Sequence, residues 1–405
     1  MTDLLPERVS LWTLATAFLK LGTIAFGGPA AHIALMEEEF VRRRQWLSHQ
    51  EFLDRLGAAN LIPGPSSTEM AIYIGYTKRG WLGLIVAGCC FIIPAAILVC
   101  AIAAAYVRYG SMPRVGGVLY ALKPVVIAVV LQAFWKLARS AVKTVWLGAL
   151  GIAAAALSFF QVDSLLVLAG AGVLAGLPVL LGKFKSKSAT TAALIWLKTR
   201  LPLRPRVFLR TTTLTTTALT TTAAAASGLA AMPFSLWRLF LTFLKIGSVL
   251  FGSGYVLLAF LRSDFVLRLH WLTEKQLLDS VAVGQVTPGP VFTTATFIGY
   301  LVGGIPGAAV ATFAIFLPGF LLVAISGPLI PRIRRSPLAG AILDGVIVAS
   351  LALMGVVTWQ LGRAALIDPL TIVIAVASAV LLFRWQVNAA WLILAAAIVG
   401  VLHGG

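Results

Sequence analysis

Charged side chains are scarce in this sequence, since Asp, Glu, Lys and Arg together make up 11% of its 405 residues. Soluble domains carry about a quarter charged residues, so the composition excludes an ordinary soluble fold. Apolar residues instead make up 60% of the chain, and the mean hydropathy is +0.96. At about 20 residues per crossing, the apolar stretches allow roughly ten to twelve spanning helices. The composition therefore predicts an all-α, multi-pass integral membrane protein.

Acidic residues are the rarer of the charged ones, with 14 Asp and Glu against 32 Lys and Arg, which gives a formal net charge of +18. A strongly basic chain often binds nucleic acid. Here, however, most basic residues lie in short segments between apolar runs, where the positive-inside rule places them. The predicted partner is therefore the lipid bilayer of the cell inner (plasma) membrane, and nucleic acid is excluded.

The sequence also lacks the residues of common catalytic and cofactor sites. Its three cysteines, Cys89, Cys90 and Cys100, lie within one apolar segment, and only four histidines occur. Their spacing fits neither a metal site nor a disulfide framework, and no Walker motif is present. We therefore expect no enzyme activity and no cofactor. Any transport would draw its energy from an ion gradient or a partner.

A tripeptide that occurs twice organises the rest of the chain: Pro63-Gly64-Pro65 and Pro288-Gly289-Pro290. Two prolines around a glycine remove backbone donors and force the chain to bend. At membrane depth, broken backbone is tolerated only where protein or a watery cavity covers it. The two bends are therefore predicted to be the walls of one site.

The two bends belong to an internal duplication. Phe18-Leu19-Lys20 recurs 225 residues later as Phe243-Leu244-Lys245, and Trp46-Leu47 recurs as Trp271-Leu272 in the same register. Shared composition does not produce a constant register that includes Lys and Trp. The predicted domains are an N-terminal transporter repeat (1–182), a basic and then Thr/Ala-rich linker (183–232) and a C-terminal transporter repeat (233–405).

Charge distribution bears on the orientation of the two repeats. In the first repeat, Lys78 and Arg79 precede the helix that contains Pro94. In the second repeat, the basic residues, from Arg332 to Arg335, follow the corresponding helix. This alternation favours halves of opposite orientation. It predicts inverted repeats of about five spanning helices each plus a re-entrant or broken Pro-Gly-Pro segment, which is a transporter architecture. Six full spans per half in parallel orientation is the alternative.

Lys20 and Lys245 are candidate binding residues because each lies within an apolar helix. A cation near the middle of a span costs roughly 2.5–3.5 kcal/mol and by default marks a function, here an anion between the halves. The alternative is that each lysine reaches to a nearby interface. Gly27, Gly28 and Gly252 end the same helices and would let backbone amides approach a ligand, or they are simple helix caps.

Hydroxyl groups follow both bends, where a helix restarts with unpaired amides at the positive end of its dipole. Such a helix start suits a tetrahedral oxyanion, and N-capping of a kinked helix is the alternative. Glu69 lies close to the first bend and is predicted to carry a coupling proton or to pair with a lysine. The predicted substrate-binding set is Lys20, Gly27, Gly28, Pro63, Gly64, Pro65, Ser66, Ser67, Thr68, Lys245, Gly252, Pro288, Gly289, Pro290, Thr293 and Thr294.

These residues resemble a known family. Phe26-Gly27-Gly28-Pro29, Trp46-Leu47 and Ile62-Pro63-Gly64-Pro65, together with the duplicated plan, are similar to the chromate ion transporter family in its two-domain (long-chain) form. The resemblance implies efflux of chromate from the bacterial cytoplasm, with sulfate as the chemical look-alike. The second copy departs from the first motif at Ser253-Gly254, so the two halves are expected to do unequal work.

The resulting hypothesis is a secondary transporter of a divalent tetrahedral oxyanion, most readily chromate efflux conferring chromate resistance. The alternatives are a transporter of sulfate or another anion, or an anion channel. In the transporter reading, the anion lies between the bends near the midplane, and one half rocks against the other around it. The sequence leaves open whether two copies pair as a homodimer.

Overall fold

The computed structural model describes residues 9–25, 29–60, 62–110, 112–160, 162–185, 233–251, 256–326 and 336–403. Within these ranges the chain is almost wholly helical and has no β-strand, which confirms the all-α prediction. Five helices in the described ranges are long and apolar enough to cross a membrane, and four shorter apolar helices accompany them. How many segments cross in each half stays a prediction.

The helices follow the same order in both halves. The first half contains α1 (Leu11–Ile24), α2 (Pro29–Glu37), α3 (His49–Ala59), α4 (Ser66–Tyr109), α5 (Pro113–Ala141), α6 (Val145–Phe159) and α7 (Ser164–Lys185). The second half contains α8 (Leu236–Val249), α9 (Leu257–Leu261), α10 (Glu274–Val286), α11 (Thr294–Ser326), α12 (Pro337–Ala365), α13 (Pro369–Arg384) and α14 (Ala389–His403). The predicted linker, 183–232, lies almost entirely outside the described residues.

The first two helices of each half fold back on each other, and we call these pairs the lysine hairpins (11–43 and 236–268). Phe18 of α1 contacts Phe40 with ring centroids 4.9 Å apart, and the equivalent rings of Phe243 and Phe265 are 4.8 Å apart. In both hairpins the returning helix ends in a π-helical turn, at Glu38–Arg43 and Arg262–Arg268. Such turns are rare and are frequent at functional sites.

The Pro-Gly-Pro bends lie at the tips of a second pair of hairpins, the proline hairpins (49–78 and 274–302). Each begins with a capping box, built from Ser48 and Glu51 in α3 and from Thr273 and Gln276 in α10. Such a box satisfies two otherwise unpaired backbone groups and fixes where the helix starts. The helix returning from each tip is the first arm of α4 or α11. Each bend therefore breaks the helix at the tip of a hairpin, and whether the hairpins re-enter one side of the membrane stays a prediction.

The helix α4 reverses direction within its 44 residues. Two residues eight apart would be about 12 Å apart along a straight helix, yet a methyl group at Gly83 would overlap the carbonyl oxygen of Gly75. The reversal falls at Gly80, whose φ is +58°, a conformation that favours glycine. The equivalent reversal in α11 falls at Gly304, with φ +61°. Each second arm (81–109 and 305–326) then runs back alongside the first arm, so that Gly88 packs against Ile72 and Gly299 against Ala311.

The remaining helices interlock the two halves. Gly345 of α12 packs against Ala171 and Ala175 of α7, while Gly176 packs against Ile342. Later residues of α7 thus meet earlier residues of α12, so the two helices are antiparallel. The same relation holds between α5 and α14, where Gly400 meets the Gly117 carbonyl. Small residues allow this close approach between membrane helices.

Candidate functional site

The tips of the hairpins are joined crosswise between the halves. The Gly64 amide donates to the Leu250 carbonyl at the end of α8 over 2.7 Å, and the Gly289 amide donates to the Ala25 carbonyl at the end of α1 over 2.9 Å. Both acceptor residues are fully buried. Each Pro-Gly-Pro bend therefore lies against the tip of the other half's lysine hairpin, at the seam of the molecule.

Both central glycines adopt conformations that other residues rarely reach, with φ of +139° at Gly64 and +92° at Gly289. The prolines on either side cannot donate hydrogen bonds. The chain closes each turn with an amide three residues on: Thr68 donates to Pro65 over 2.6 Å, and Thr293 donates to Pro290 over 3.0 Å. Both bends thus present the start of a helix to the seam.

The predicted hydroxyls are buried at both bends but are bonded differently. At the second bend, Thr293 donates to the Pro290 carbonyl and Thr294 donates to the Val291 carbonyl, each over 2.8 Å. At the first bend, the hydroxyl of Thr68 is buried without a hydrogen-bond partner. Ser67 lies 3.3 Å from His32, whose other ring nitrogen contacts the Ala25 carbonyl. Ser66, half-buried, starts the helix.

Glu69 lies in the seam itself. Its side chain is 1% exposed, and Oε2 has no hydrogen-bond partner among the described residues. The carboxyl group rests over the bare α-carbon of Gly64 from the first bend and over that of Gly319 from α11. The described residues supply no ion-pair partner within reach, so the lysine pairing considered from the sequence is not seen here.

Lys20 and Lys245 each pair with a carboxylate of their own lysine hairpin. Lys20 lies 3.8 Å from Glu39 and is half exposed, whereas Lys245 lies 2.6 Å from buried Asp264. An arginine four residues further on binds each carboxylate as well, Arg43 in the first half and Arg268 in the second. The same three-residue arrangement is thus built twice.

The duplicated register held the signal for these carboxylates, because Glu39 and Asp264 are also 225 positions apart. Glu39 lies outside the long spanning helices. Its burial favours the neutral form, but the hydrogen bond from Arg44 and the charges of Lys20 and Arg44 hold its pKa below the usual value. Positive side chains outnumber acids in both clusters.

A buried ion pair that sequence reasoning missed ties the second proline hairpin to the first half. Asp279 of α10 is fully buried, and Lys123 of α5 lies 3.1 Å from it. The Tyr106 hydroxyl of α4 donates to the same carboxylate over 2.9 Å. The equivalent acid of the first half, Asp54, is exposed. These three partners come from separate segments, so no local pattern indicated them.

A cavity of about 280 Å³ reaches the hairpin tips. Its lining includes Asn60 beside the first bend, with Phe251 and Val256, which flank the tip of the second lysine hairpin. Residues of α5, of the connector after it and of α12 complete the wall, and the polar ones among them are Ser140, Lys143 and Asp344. Gly27, Gly28 and Gly252 lie outside the described residues.

The duplicated halves match a known family model. The model described as "Chromate transporter" matches residues 12–177 and again residues 237–401. The chain belongs to the chromate transporter family. The two matched segments lie inside the predicted repeats, 1–182 and 233–405, whose limits themselves stay predictions. Membership of this family indicates a transport role for the chain.

Full-length relatives carry the same description. The chain is 34% identical to the probable chromate transport protein of Synechococcus elongatus, covering 97% of this chain and 95% of that one. It is 31% identical to the chromate transport protein of Cupriavidus metallidurans, covering 97% and 93%. For the chromate transport protein of Pseudomonas aeruginosa, the identity is 29%, covering 99% and 94%. No solved structure matches the chain significantly.

Proposed function

We propose that this family member exports chromate, a divalent tetrahedral oxyanion, across the inner membrane. The observation that carries the proposal is the crosswise bonding of the tips, which brings two helix starts and buried hydroxyls to one seam. Helix starts bind oxyanions through free amides and the helix dipole. The names of the full-length relatives support chromate as the anion.

The first bend is the better binding wall. The buried Thr68 hydroxyl has no hydrogen-bond partner among the described residues and is available to a substrate oxygen, with Ser66 and Ser67 beside it. The Thr293 and Thr294 hydroxyls already bond their own turn, so the second bend contributes mainly backbone and shape. Lys20 and Lys245 supply positive charge from clusters in which cations outnumber acids. The glycines at the hairpin tips complete the proposed set.

Opposite orientation of the halves is part of the proposal. If α5, α6 and α7 cross in turn, then α5 and α7 run in the same direction, since their connectors are short. The antiparallel packing of α7 with α12, the counterpart of α5, supports an inverted second half. Inverted halves around a central site permit alternating access. The proposed site lies within one chain, so it does not depend on a homodimer.

The membrane potential acts on transport through the charge of the substrate. Moving one elementary charge through 100 mV changes the free energy by about 2.3 kcal/mol. An inside-negative potential of that size therefore favours efflux of a dianion by about 4.6 kcal/mol. Uptake would have to overcome the same amount. The membrane potential therefore favours export of the dianion, which agrees with the proposed efflux.

Glu69 is the proposed site of a coupling proton. A buried carboxylate without a cation beside it is strongly disfavoured, so the group is neutral when the site is empty. Its position over Gly64 and Gly319 joins both halves, where a change in its charge would be felt by the substrate. Another titratable group, His32, contacts Ser67, two residues before Glu69.

The test is flux of labelled chromate and labelled sulfate in proteoliposomes. Thr68→Val keeps the side-chain shape and removes the free hydroxyl. We expect it to raise the chromate KM about tenfold, because a hydrogen bond to a charged partner contributes roughly 1.5–3 kcal/mol. The matched control is Thr16→Val, on the exposed face of α1, which should leave KM unchanged. Glu69→Gln should abolish any chromate-driven pH change.

Three outcomes would contradict the proposal. Equal KM values for the Thr68 and Thr16 variants would remove the first bend from the site. Sulfate flux that exceeds chromate flux would assign the protein to sulfate. Currents that do not saturate with anion concentration would favour a channel over a carrier.

A further inference from the structure

The cavity that reaches the tips has one charged pair in its wall. Lys143, in the connector between α5 and α6, lies 2.8 Å from Asp344 of α12. Their side chains are 59% and 31% exposed, so water reaches both. Ser140 and Asn60 line the same cavity, and Asn60 lies three residues before the first bend. The cavity thus joins an exposed ion pair to a polar residue beside the first bend.

The position of Lys143 along the chain indicates its side of the membrane. The second arm of α4 starts after Lys78 and Arg79, and α5 begins four residues after α4 ends at Tyr109. Two spanning helices with so short a connection run in opposite directions, so α5 ends on the side where Lys78 lies. That side also has Arg42, Arg43, Arg44, Lys136 and Arg139. The positive-inside rule assigns it to the cytoplasm.

The equivalent positions of the opposite repeat have a different chemistry. After the one-residue change of register beyond the bends, Asp344 corresponds to Tyr120, whose hydroxyl donates to Asp368. Lys143 corresponds to Ile367. The amide of Asn60 opens on the cavity, whereas its counterpart Gln285 has a buried amide nitrogen with no partner among the described residues. These three equivalent positions therefore carry no basic residue.

We infer that this cavity is the cytoplasmic vestibule through which the oxyanion reaches the first bend, and that the Lys143–Asp344 pair controls access to it. The inference rests on the proposed function. Lys143 attracts an arriving dianion. Asp344 repels the dianion and competes with it for the lysine. Asn60 then offers an amide donor at the inner end, beside the bend.

Removing the charge of Lys143 and removing that of Asp344 should change the chromate KM in opposite directions. A pair with a purely structural role would not give that result. Chromate uptake is measured in inside-out vesicles, whose cytoplasmic face is outward, with the full-length chain. Asp344→Asn should lower the chromate KM about fourfold and Lys143→Gln should raise it about fourfold, as expected for a unit charge some 10 Å from a dianion in water. Lys143→Arg should restore the parent KM. High salt should shrink both changes, because it screens exposed charges.

The controls use the other face of the molecule. Tyr120→Phe removes the equivalent contact without changing charge and should leave the KM measured in inside-out vesicles unchanged. In right-side-out vesicles, the Lys143 and Asp344 variants should keep the parent KM. Elution of each variant as a single detergent-solubilised species shows that it has folded.

The outcomes separate the two proposals. Loss of transport in both variants, or KM changes of the same sign, would assign the pair to structure and overturn the vestibule. KM changes that persist in high salt would overturn it as well. If the parent chain moves no chromate, the proposed function fails instead. If Asp344→Asn does not fold, Lys143→Gln is compared with Asp344→Glu, which keeps the negative charge. That comparison tests the role of the lysine alone.

Discussion

The two proline hairpins have the same backbone and different side chains. Both begin with a capping box, both bend at Pro-Gly-Pro, and both donate a glycine amide to the opposite lysine hairpin. The first tip exposes Asn60 to a cavity and holds an unpartnered hydroxyl and carboxyl, from Thr68 and Glu69. The second tip satisfies its threonine hydroxyls internally.

Away from the tips, the second proline hairpin is the one whose carboxylate is buried and paired. Asp279 at the second base is held by Lys123 and Tyr106 of the first half, whereas its counterpart Asp54 is exposed. One hairpin is therefore anchored by charge and the other leaves its polar groups free at the tip. The same backbone frame thus carries a buried ion pair in one copy and polar groups without a described partner in the other.

The largest expected effect comes from breaking the anchor. Asp279→Asn leaves the buried Lys123 ammonium without a counter-charge, and losing one partner of a buried pair costs about 3–5 kcal/mol. We expect a large fall in the Tm of the detergent-solubilised protein. Adding Lys123→Met should recover most of it, since the uncompensated charge is then gone.

The matched control for the anchor is Asp54→Asn. An exposed ion pair contributes about 0–1 kcal/mol, so the Tm should change little. Similar falls in Tm for the two aspartate variants would show that the hairpins are anchored alike and would end the comparison drawn above.

Alanine at the two bend glycines should give an intermediate effect. Each substitution forces a side chain into a conformation that costs about 1–3 kcal/mol. Gly289→Ala should be the worse, because the new methyl would lie 2.6 Å from Ala95 and 3.2 Å from the Gly22 carbonyl, both held by helices. At Gly64 the methyl meets the end of the Glu69 side chain, which can turn away.

Thermal unfolding and chromate flux together check the glycine prediction. Gly289→Ala should lower the Tm more, while Gly64→Ala should lower flux out of proportion to its Tm because it displaces Glu69. A larger loss of Tm at Gly64 would contradict the assignment of the rigid contact to the second bend.

The smallest effects are expected from the repeated lysines. Lys245→Ala removes a 2.6 Å bond to buried Asp264 and should cost about 1.5 kcal/mol, the lower end for a charged hydrogen bond because the lysine is partly exposed. Lys20→Ala should cost under about 0.5 kcal/mol, since the ion pair is 3.8 Å long and the lysine is half exposed.

Measuring both Tm and chromate flux for each lysine variant then distinguishes a structural role of the lysines from a role in substrate binding. If they balance the charge of the substrate, Lys20→Ala should lose chromate flux while its Tm hardly changes. Full flux in both lysine variants would remove them from the proposed site and leave them as partners of Glu39 and Asp264.

Much of this arrangement was predictable from local sequence. The Pro-Gly-Pro bends follow from backbone chemistry, and the register of the duplication follows from identical residues at a fixed offset. The same register relates Glu39 to Asp264 and Arg43 to Arg268, although the predicted substrate-binding set includes none of these residues. The Lys123–Asp279 pair was not predictable, because its members lie in different halves and no sequence pattern near either residue indicates the other.

By itself, the sequence determined that the chain is a duplicated membrane protein with two broken, hydroxyl-bearing bends, because composition, proline and a constant register act locally. Only the tertiary structure decided how the bends are used. The hydrogen bonds from Gly64 and Gly289 cross between halves, and Asp279 finds its lysine in the opposite half. Burial turns such distant meetings into strong interactions, since a charge or amide removed from water must find its partner wherever the fold brings one.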